Sequence, residues 1–242
     1  VDRWIVATGG AAVTAQRLGS VGAYYLNVTG AASNTATNIR HRIESANIAD
    51  LAGQTVTLSF VCSSSTLTSI NVLVGYASSA DNFTTVTNIS TTAKTITSAG
   101  TLYTLQIALP TNAANGVEIL FQLGAFTSGT FALANVQLER GATATPFEYR
   151  PYGTELALCQ RYYERISGAG GSNSIYSVQY VLAGNAFTQT LAWRVTKRTN
   201  PTLSKQGTWS VTNCAQPSVG GTGTDTFYMQ AVATAAGQAY YS

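Results

Sequence analysis

The sequence predicts an all-β protein: two β-sandwich domains of the jelly-roll kind, joined by a short connector that contains a helix. Three observations support this fold class. Short runs alternate apolar and polar residues with the period of two that marks a half-buried strand. Clusters of Gly, Asn and Ser separate these runs about every 10–20 residues, as in sandwiches and barrels. Helical and strand patterns do not alternate along the chain, which argues against a parallel α/β sheet.

The first domain is predicted over residues 1–145, and its clearest strand is QTVTLSFVC (Gln54–Cys62). There Val56, Leu58 and Phe60 alternate with polar residues, so one face of the strand is expected to be buried. The run SINVLVGY (Ser69–Tyr76) alternates in the same way. Further strands are predicted at Tyr24–Thr29, Thr101–Leu109, Val117–Leu123 and Thr130–Leu138, and a short turn within His41–Leu51.

A connector is predicted over residues 146–158, where the composition changes. Gly141 ends the preceding strand by allowing a left-handed turn, and Pro146 and Pro151 disfavour helix at the residues before them. Aromatic side chains follow at Phe147 and Tyr149. A flexible linker is typically rich in Gly and Ser, so this segment predicts a fixed joint between the two domains.

The second domain is predicted over residues 159–242. Thr154 is expected to cap a short helix in TELALCQR, and Leu156, Cys159 and Tyr163 have the spacing of one apolar helical face. Strands are predicted at Ser174–Leu182, Phe187–Val195, Thr208–Thr212, Phe227–Ala233 and Ala239–Ser242. The Gly-rich stretches Ser167–Asn173 and Ser218–Thr224 are predicted to be flexible loops, and Asn200–Gly207 an exposed loop.

The composition bounds the classes of function. The chain is 45% hydrophobic but only 10% charged, against about 25% charged in typical soluble domains. Its net charge of +3 is too small and too dispersed for nucleic-acid binding, and no apolar run approaches the length that spans a membrane. The 3 cysteines lack metal-like spacing and are interpreted as buried free thiols. The chain begins at Val1, from which we expect a fragment or a processed product.

Two blocks of sequence resemble a known family. The block VQLERGATATPFEYRPYGTELALCQRYYER (Val136–Arg165) is similar to the joint in many bacteriophage tail-fibre and minor structural proteins. There a jelly roll like a carbohydrate-binding module ends in a VQLE strand, followed by an ATPFE segment and an ELxxCQRYY opening. The block WRVTKRTNPTLSKQGTWSV (Trp193–Val211) resembles a strand and turn that follow in the same proteins, with Lys197 where Met is common.

The resemblance implies a virion surface protein, assembled in the host cytoplasm, that presents β-rich domains to the host envelope. It implies a homotrimer whose partners are other virion proteins and a host surface glycan or lipopolysaccharide. The expected function is a tail fibre or receptor-binding fibre that mediates attachment. Two alternatives stay open, a capsid decoration or head-fibre protein and a glycan-binding module of a secreted hydrolase.

Candidate glycan-binding residues are planar aromatics, which stack on sugar rings, and polar or basic neighbours. Trp209 is ranked first because it follows Gly207 in a Thr- and Ser-rich context. Tyr24 and Tyr25 are adjacent on a predicted strand, so they point to opposite faces and at most one is in the core. Tyr25 is therefore a candidate, and Arg198 and Lys205 are candidates for contact with acidic polysaccharide or lipopolysaccharide phosphate.

Catalysis, metals and cofactors are not expected. His41 is the only histidine, and it lies in an Arg-flanked, surface-like context that suits no nucleophilic system. None of the 10 acidic residues forms a recognisable glycosidase pair or calcium loop. The sequence therefore predicts a non-enzymatic protein without a metal or a cofactor.

Overall fold

The computed structural model describes residues 4–20, 23–166, 177–205, 209–221 and 223–241. Contacts between residues divide the chain into two units, the first ending at Tyr149 and the second beginning at Arg150. Each unit has its own hydrophobic core. The predicted fold class is confirmed, with two β-sandwiches and a short helix. The division at 1–145, 146–158 and 159–242 stays a prediction about which segments fold together.

The first unit is a sandwich of two five-stranded antiparallel sheets. Sheet 1 holds, in spatial order, β1 (Trp4–Gly10), β4 (Asn34–Glu44), β9 (Gly116–Gly124), β6 (Ser69–Ser79) and β7 (Asn82–Thr95). Sheet 2 holds β2 (Thr14–Leu18), β3 (Tyr25–Thr29), β10 (Thr130–Arg140), β5 (Thr55–Ser64) and β8 (Thr101–Ala108). Strands β3 to β10 have the order of a jelly roll, and β1 and β2 each add an edge strand.

The core of the first unit follows from the alternation read in the sequence. In β5, Val56, Leu58 and Phe60 are completely buried. Phe60 meets Phe121 of β9 edge to face, with ring centroids 5.0 Å apart, a favoured aromatic geometry. Thr57 and Ser59 point away from this core, yet they are also buried, so a further segment covers part of the outer face of sheet 2.

The turn predicted within His41–Leu51 is present but shorter. Strand β4 runs through Glu44, and helix α1 (Ser45–Ile48) and a 3₁₀ turn at Ala49–Leu51 follow it. Asp81 secures the helix, because its carboxylate accepts hydrogen bonds from the N–H and the Oγ of Ser45, at 2.7 and 3.1 Å. A second 3₁₀ turn spans Thr111–Asn115.

The second unit begins with helix α2 (Tyr152–Gln160) and continues as two three-stranded antiparallel sheets. Sheet 3 holds β11 (Ser177–Val181), β16 (Gly237–Tyr241) and β13 (Val211–Thr212). Sheet 4 holds β12 (Ala186–Ala192), β15 (Thr226–Val232) and β14 (Ser218–Gly220). Phe187 and Tyr241 stack across the core at 5.6 Å, and Trp193 stacks on Phe227 at 4.3 Å.

Helix α2 differs from the prediction in two ways. Pro151, not Thr154, is its N-cap residue, and the carbonyl of Pro151 accepts the N–H groups of Thr154 and Glu155. The proposed apolar face is not buried, since Leu156 and Tyr163 are exposed and Tyr163 lies beyond the end of the helix. No helix in the described part of the chain is long and apolar enough to cross a membrane.

The Gly-rich stretch Ser218–Thr224 is not simply a loop, because Ser218–Gly220 pairs with β15 as strand β14. The predicted loop at Ser167–Asn173 lies outside the described residues, as do the last residues of Asn200–Gly207 and the first residues of the strands predicted at Ser174 and Thr208.

Candidate functional site

The outer face of sheet 2 carries an apolar row that crosses its five strands. Strand pairing joins Leu18 to Tyr25, Ala134 to Val61 and Val61 to Leu102. The pairing of Leu26 with Leu133 places the next residue, Ala134, beside Tyr25. We call these residues the open row: Leu18, Tyr25, Ala134, Val61 and Leu102. Leu102 is 61% exposed, although side chains of this type are usually buried.

Tyr25 supplies the aromatic ring of the open row. Its neighbours Leu26 and Val28 point inward and pack in the core, so alternation directs Tyr25 outward. Tyr24 precedes β3, is exposed, and has the Arg17 guanidinium 4.3 Å from its ring centroid. The two tyrosines are thus both outside the core, in accord with the expectation that at most one of them is inside.

Uncharged polar side chains border the open row on one side. Across β2, β3, β10 and β5, which are four of the five strands, Gln16 pairs with Asn27, Asn27 with Ala132, and Ala132 with Ser63. The Asn27 amide donates to Thr29 Oγ1 at 3.3 Å. Side-chain amides and hydroxyls both donate and accept hydrogen bonds. Asn27 is buried, so Gln16 and Ser63 are the members of this border that can bond to hydroxyl groups of a ligand lying on the row.

The segment 141–149, which we call the strap, borders the open row on the other side. It folds back over the outer face of sheet 2, where Thr57 Oγ1 donates to the carbonyl of Gly141 at 2.7 Å. Gln106 Nε2 donates to the carbonyl of Ala142, and Gln137 Oε1 accepts the N–H of Glu148 at 2.9 Å. The contact with Gly141 explains why Thr57 is buried.

Glu139 is the anchor of the strap. Its carboxylate accepts the Oγ1–H of Thr145 at 2.6 Å, the N–H of Thr145 at 2.8 Å and the amide of Gln137 at 3.1 Å. The bonds from the side chain and the backbone of Thr145 hold the pKa of this carboxyl below its usual range, because they favour its charged form. The VQLE and ATPFE motifs therefore grip each other within the first unit.

The outer face of sheet 1 has a different chemistry. Asn38, Gln122 and Asn71 form one row of amides across β4, β9 and β6. Two rows further along the sheet, beyond Arg40 and Leu120, Arg42 Nε pairs with Glu118 Oε2 at 2.8 Å. These rows offer hydrogen bonds and charge, and the nearby Phe83 ring lies under the Arg42 guanidinium, whose Cζ is 5.0 Å from the ring centroid.

Trp209 and Lys205, both predicted site residues, are brought together in the second unit. The Trp209 ring is half-buried against the second core, edge-on to buried Tyr241 at 6.0 Å. Lys205 Nζ lies 5.8 Å from the centroid of the Trp209 ring and donates to the carbonyl of Pro217 at 2.9 Å. Trp209 is thus partly a core residue, and the Lys205 ammonium lies near its ring.

Arg198 lies elsewhere in the second unit. Its N–H donates to the carbonyl of Arg161, just after α2, at 3.1 Å. Its neighbour Lys197 lies between the basic residues Arg194 and Arg198 but is not solvated. Lys197 Nζ is buried with Glu164 Oε2 at 2.7 Å and lies 4.7 Å from the centroid of the Trp193 ring.

In the described part of the chain we identify no catalytic or metal-binding site. His41 is half-buried, and its ring centroid lies 4.7 Å from that of Trp4. Within the described residues, no three His, Cys, Asp or Glu side chains cluster to hold a metal ion. Of the cysteines, Cys62 and Cys214 are buried and Cys159 is half-buried, all as free thiols.

The open row could be recognised only in part from the sequence. The alternation in β3 exposes Tyr25, but the row also needs Leu18 of β2 and Leu102 of β8, which are distant in sequence. Leu102 stands beside the inward Tyr103, so two large side chains are adjacent and alternation alone does not show which of them points outward. The pairing of five strands decides which of these residues meet.

No protein-family model matches the chain, and no curated protein matches it either. Several solved structures resemble it. One, described as CBM4 structure and function, shares 22% identity over 58% of this chain and 88% of its own, with a TM-score of 0.46. The enzymatically active domain of tailspike protein 4 of bacteriophage CBA120 shares 16% identity over 57% of this chain and 19% of its own, with a TM-score of 0.45.

A third similar structure is the family 11 carbohydrate-binding module from Clostridium thermocellum, in complex with a β-1,3-1,4-mixed-linked tetrasaccharide. It shares 15% identity over 60% of this chain and 92% of its own, with a TM-score of 0.41. Resemblances at these scores and identities support no conclusion about the ligand of this chain.

Proposed function

We propose that the first unit binds a neutral glycan on the open row of sheet 2, without catalysis. The observation that carries the proposal is the outward Tyr25 within an exposed apolar row that is bordered by amide and hydroxyl groups. The C–H face of a sugar ring is weakly positive and suits the negative face of an aromatic ring. The sugar hydroxyls would bond to Gln16 and Ser63.

The chemistry of the open row favours a neutral ligand. The row and its polar border contain no charged side chain, whereas the matching rows of sheet 1 contain Arg40, Arg42 and Glu118. Five strands spaced about 4.8 Å apart span roughly 19 Å, enough for a short oligosaccharide lying across the sheet. The strap forms one wall along this path.

We further propose that the chain is a bacteriophage virion surface protein, a tail fibre or receptor-binding fibre that attaches to the host. The support is the sequence resemblance of Val136–Arg165, whose motif residues form the grip of the strap. Attachment would be noncovalent, with weak sugar contacts multiplied over a homotrimer. A head fibre and a module of a secreted hydrolase remain the alternatives.

Binding of the chain to a glycan array tests the first proposal. Tyr25→Ala is expected to weaken binding of any captured neutral glycan by about tenfold or more, which is the loss typical of a truncated aromatic anchor. Tyr25→Phe keeps the ring and retains binding. Tyr152→Ala removes a more exposed tyrosine elsewhere and serves as the control. Unchanged binding by the Tyr25→Ala chain rejects the site.

Two measurements test the virion proposal. Saturating purified chain is expected to block adsorption of the parent phage to its host, and native mass spectrometry is expected to show a trimer. Adsorption that is unaffected by saturating chain counts against receptor binding. Localisation of the chain to the phage head by electron microscopy would instead favour the head-fibre alternative.

A further inference from the structure

The outer face of sheet 4, in the second unit, carries a tyrosine that lies flat on the sheet. Tyr228 of β15 pairs with Gly220 of β14 on one side and with Thr190 of β12 on the other. A Cβ atom placed on Gly220 would lie only 2.6 Å from Cζ and from Oη of Tyr228. The ring therefore crosses over the glycine, in space that any other residue would fill.

This packing covers one face of the ring and leaves the other face free. An aromatic ring laid over a cross-strand glycine stabilises a sheet, which accounts for the covered face. Tyr228 is nevertheless 40% exposed. A broad, immobilised ring face in solvent is costly to leave uncovered, because apolar surface gains free energy when water is removed from it.

The surroundings of Tyr228 are polar and uncharged. The next row across sheet 4 is Thr188, Gln230 and Ser218. Gln230 Nε2 donates to Thr188 Oγ1 at 3.0 Å, and Ser218 Oγ donates to the carbonyl of Gln230 at 3.2 Å, so these groups are held in place beside the ring. The outward positions of this sheet are all uncharged: Ala186, Thr188, Thr190, Ala192, Ser218, Gly220, Thr226, Tyr228, Gln230 and Val232.

We propose that Tyr228 is the stacking platform of a second sugar site, which takes one neutral pyranose residue. The pyranose C–H face covers the free face of the ring, and its hydroxyls bond to Thr190 and Gln230. A carboxylated or phosphorylated sugar has no cation to meet on this face and is disfavoured. The site is independent of the open row, because it uses other residues in another unit.

Titration of the full chain with simple sugars tests this site. Tyrosine ring signals are followed by NMR, with Tyr228 assigned from the Tyr228→Phe chain. The probes are the methyl β-glycosides of glucose, galactose and N-acetylglucosamine, each at about 10 mM because a single stacked ring supports only millimolar affinity. At least one of them is expected to shift the Tyr228 signals, and methyl β-glucuronide is expected to shift them less.

Gly220→Ala is the sharpest variant, because it keeps the tyrosine but pushes its ring off the sheet. It is expected to abolish the shift. Thr190→Val retains the fold and is expected to reduce the shift severalfold. The proposal is overturned if no neutral glycoside moves the Tyr228 signals, if the Gly220→Ala chain responds like the parent, or if the glucuronide binds best. Tyr25→Ala leaves this response intact, so failure here and failure at the open row are distinguishable.

Discussion

Lys197 shows how a single residue departs from its local sequence context. It lies among basic residues that suggest a solvated turn, but its ammonium is buried against the Glu164 carboxylate, with 4% and 2% of the two side chains exposed. It also donates to the carbonyl of Gln160, the last residue of α2. The pair therefore fastens the end of the helix to the second sandwich.

Replacing Lys197 is expected to destabilise the second unit strongly. Lys197→Met leaves Glu164 buried without its main cation, and breaking a buried pair in this way costs about 3–5 kcal/mol. The measurement is the free energy of unfolding in urea, followed by tryptophan fluorescence. The exposed pair between Arg150 and Glu155 is the control, and Arg150→Ala is expected to cost less than about 1 kcal/mol. Equal losses in the two variants would contradict the structural role of Lys197.

Cys62 is expected to be inert while the first unit is folded. Burial raises the pKa of its thiol from the ordinary value of 9.0 to about 12, and only the thiolate reacts. Iodoacetamide at a pH near 8 should therefore modify Cys62 only after denaturation, as read by peptide mass spectrometry. Half-buried Cys159 is the internal comparison. Rapid labelling of Cys62 in the native chain would show that its strand opens.

The strap is the element whose structure differs most from its sequence prediction. Prolines and aromatics in this segment predicted a stiff joint between domains. The structure shows that residues 141–149 grip the sheet they come from, through Thr57, Gln137 and Glu139. Gly141 makes the reversal possible, since its φ of 112° belongs to the region that favours glycine.

Acidification is expected to loosen the strap. The pKa of Glu139 is lowered by its hydrogen bonds from Thr145, so the stabilisation is complete above the usual glutamate pKa, about 4.3. It is lost as the pH falls through the lowered value. Faster exchange of the Thr145 amide hydrogen below that pH is the expected signal, and Glu139→Gln should remove the pH dependence. Titration of Glu139 at its usual pKa would contradict the hydrogen bonds from Thr145 that hold the strap.

Strand prediction succeeded where apolar and polar residues alternate clearly and failed where they do not. Strands β5, β6, β8, β9 and β10 alternate clearly and were predicted within a few residues. Strands β1, β2, β4, β7 and β14 were not predicted. Four of them are edge strands rich in Thr, Ala or Gly, and the central strand β4 is too polar to show a clear apolar period of two. Leu18, which pairs with Tyr25, and Gly220, over which the Tyr228 ring lies, belong to edge strands that were not predicted. The sequence alone therefore did not reveal either site in full.

The described residues form two separate cores, and the two proposed aromatic platforms lie on sheet faces. Tyr25 lies on a five-stranded sheet and Tyr228 on a three-stranded sheet. Both platforms are surrounded by uncharged hydrogen-bonding groups, which agrees with a chain that is only 10% charged. Two weak sugar sites in each copy of an oligomer would give high avidity without a tight site.

The proposed function of the first unit rests on binding of sugar to the open row of sheet 2. The most direct test is a backbone NMR titration of the full chain with the neutral oligosaccharide that binds best in the array. We predict that the largest shifts within the first unit fall on Gln16, Tyr25, Asn27, Val61 and Leu102. Shifts centred instead on Asn38, Asn71 and Gln122 would place the ligand on sheet 1 and exclude the open row as the binding site.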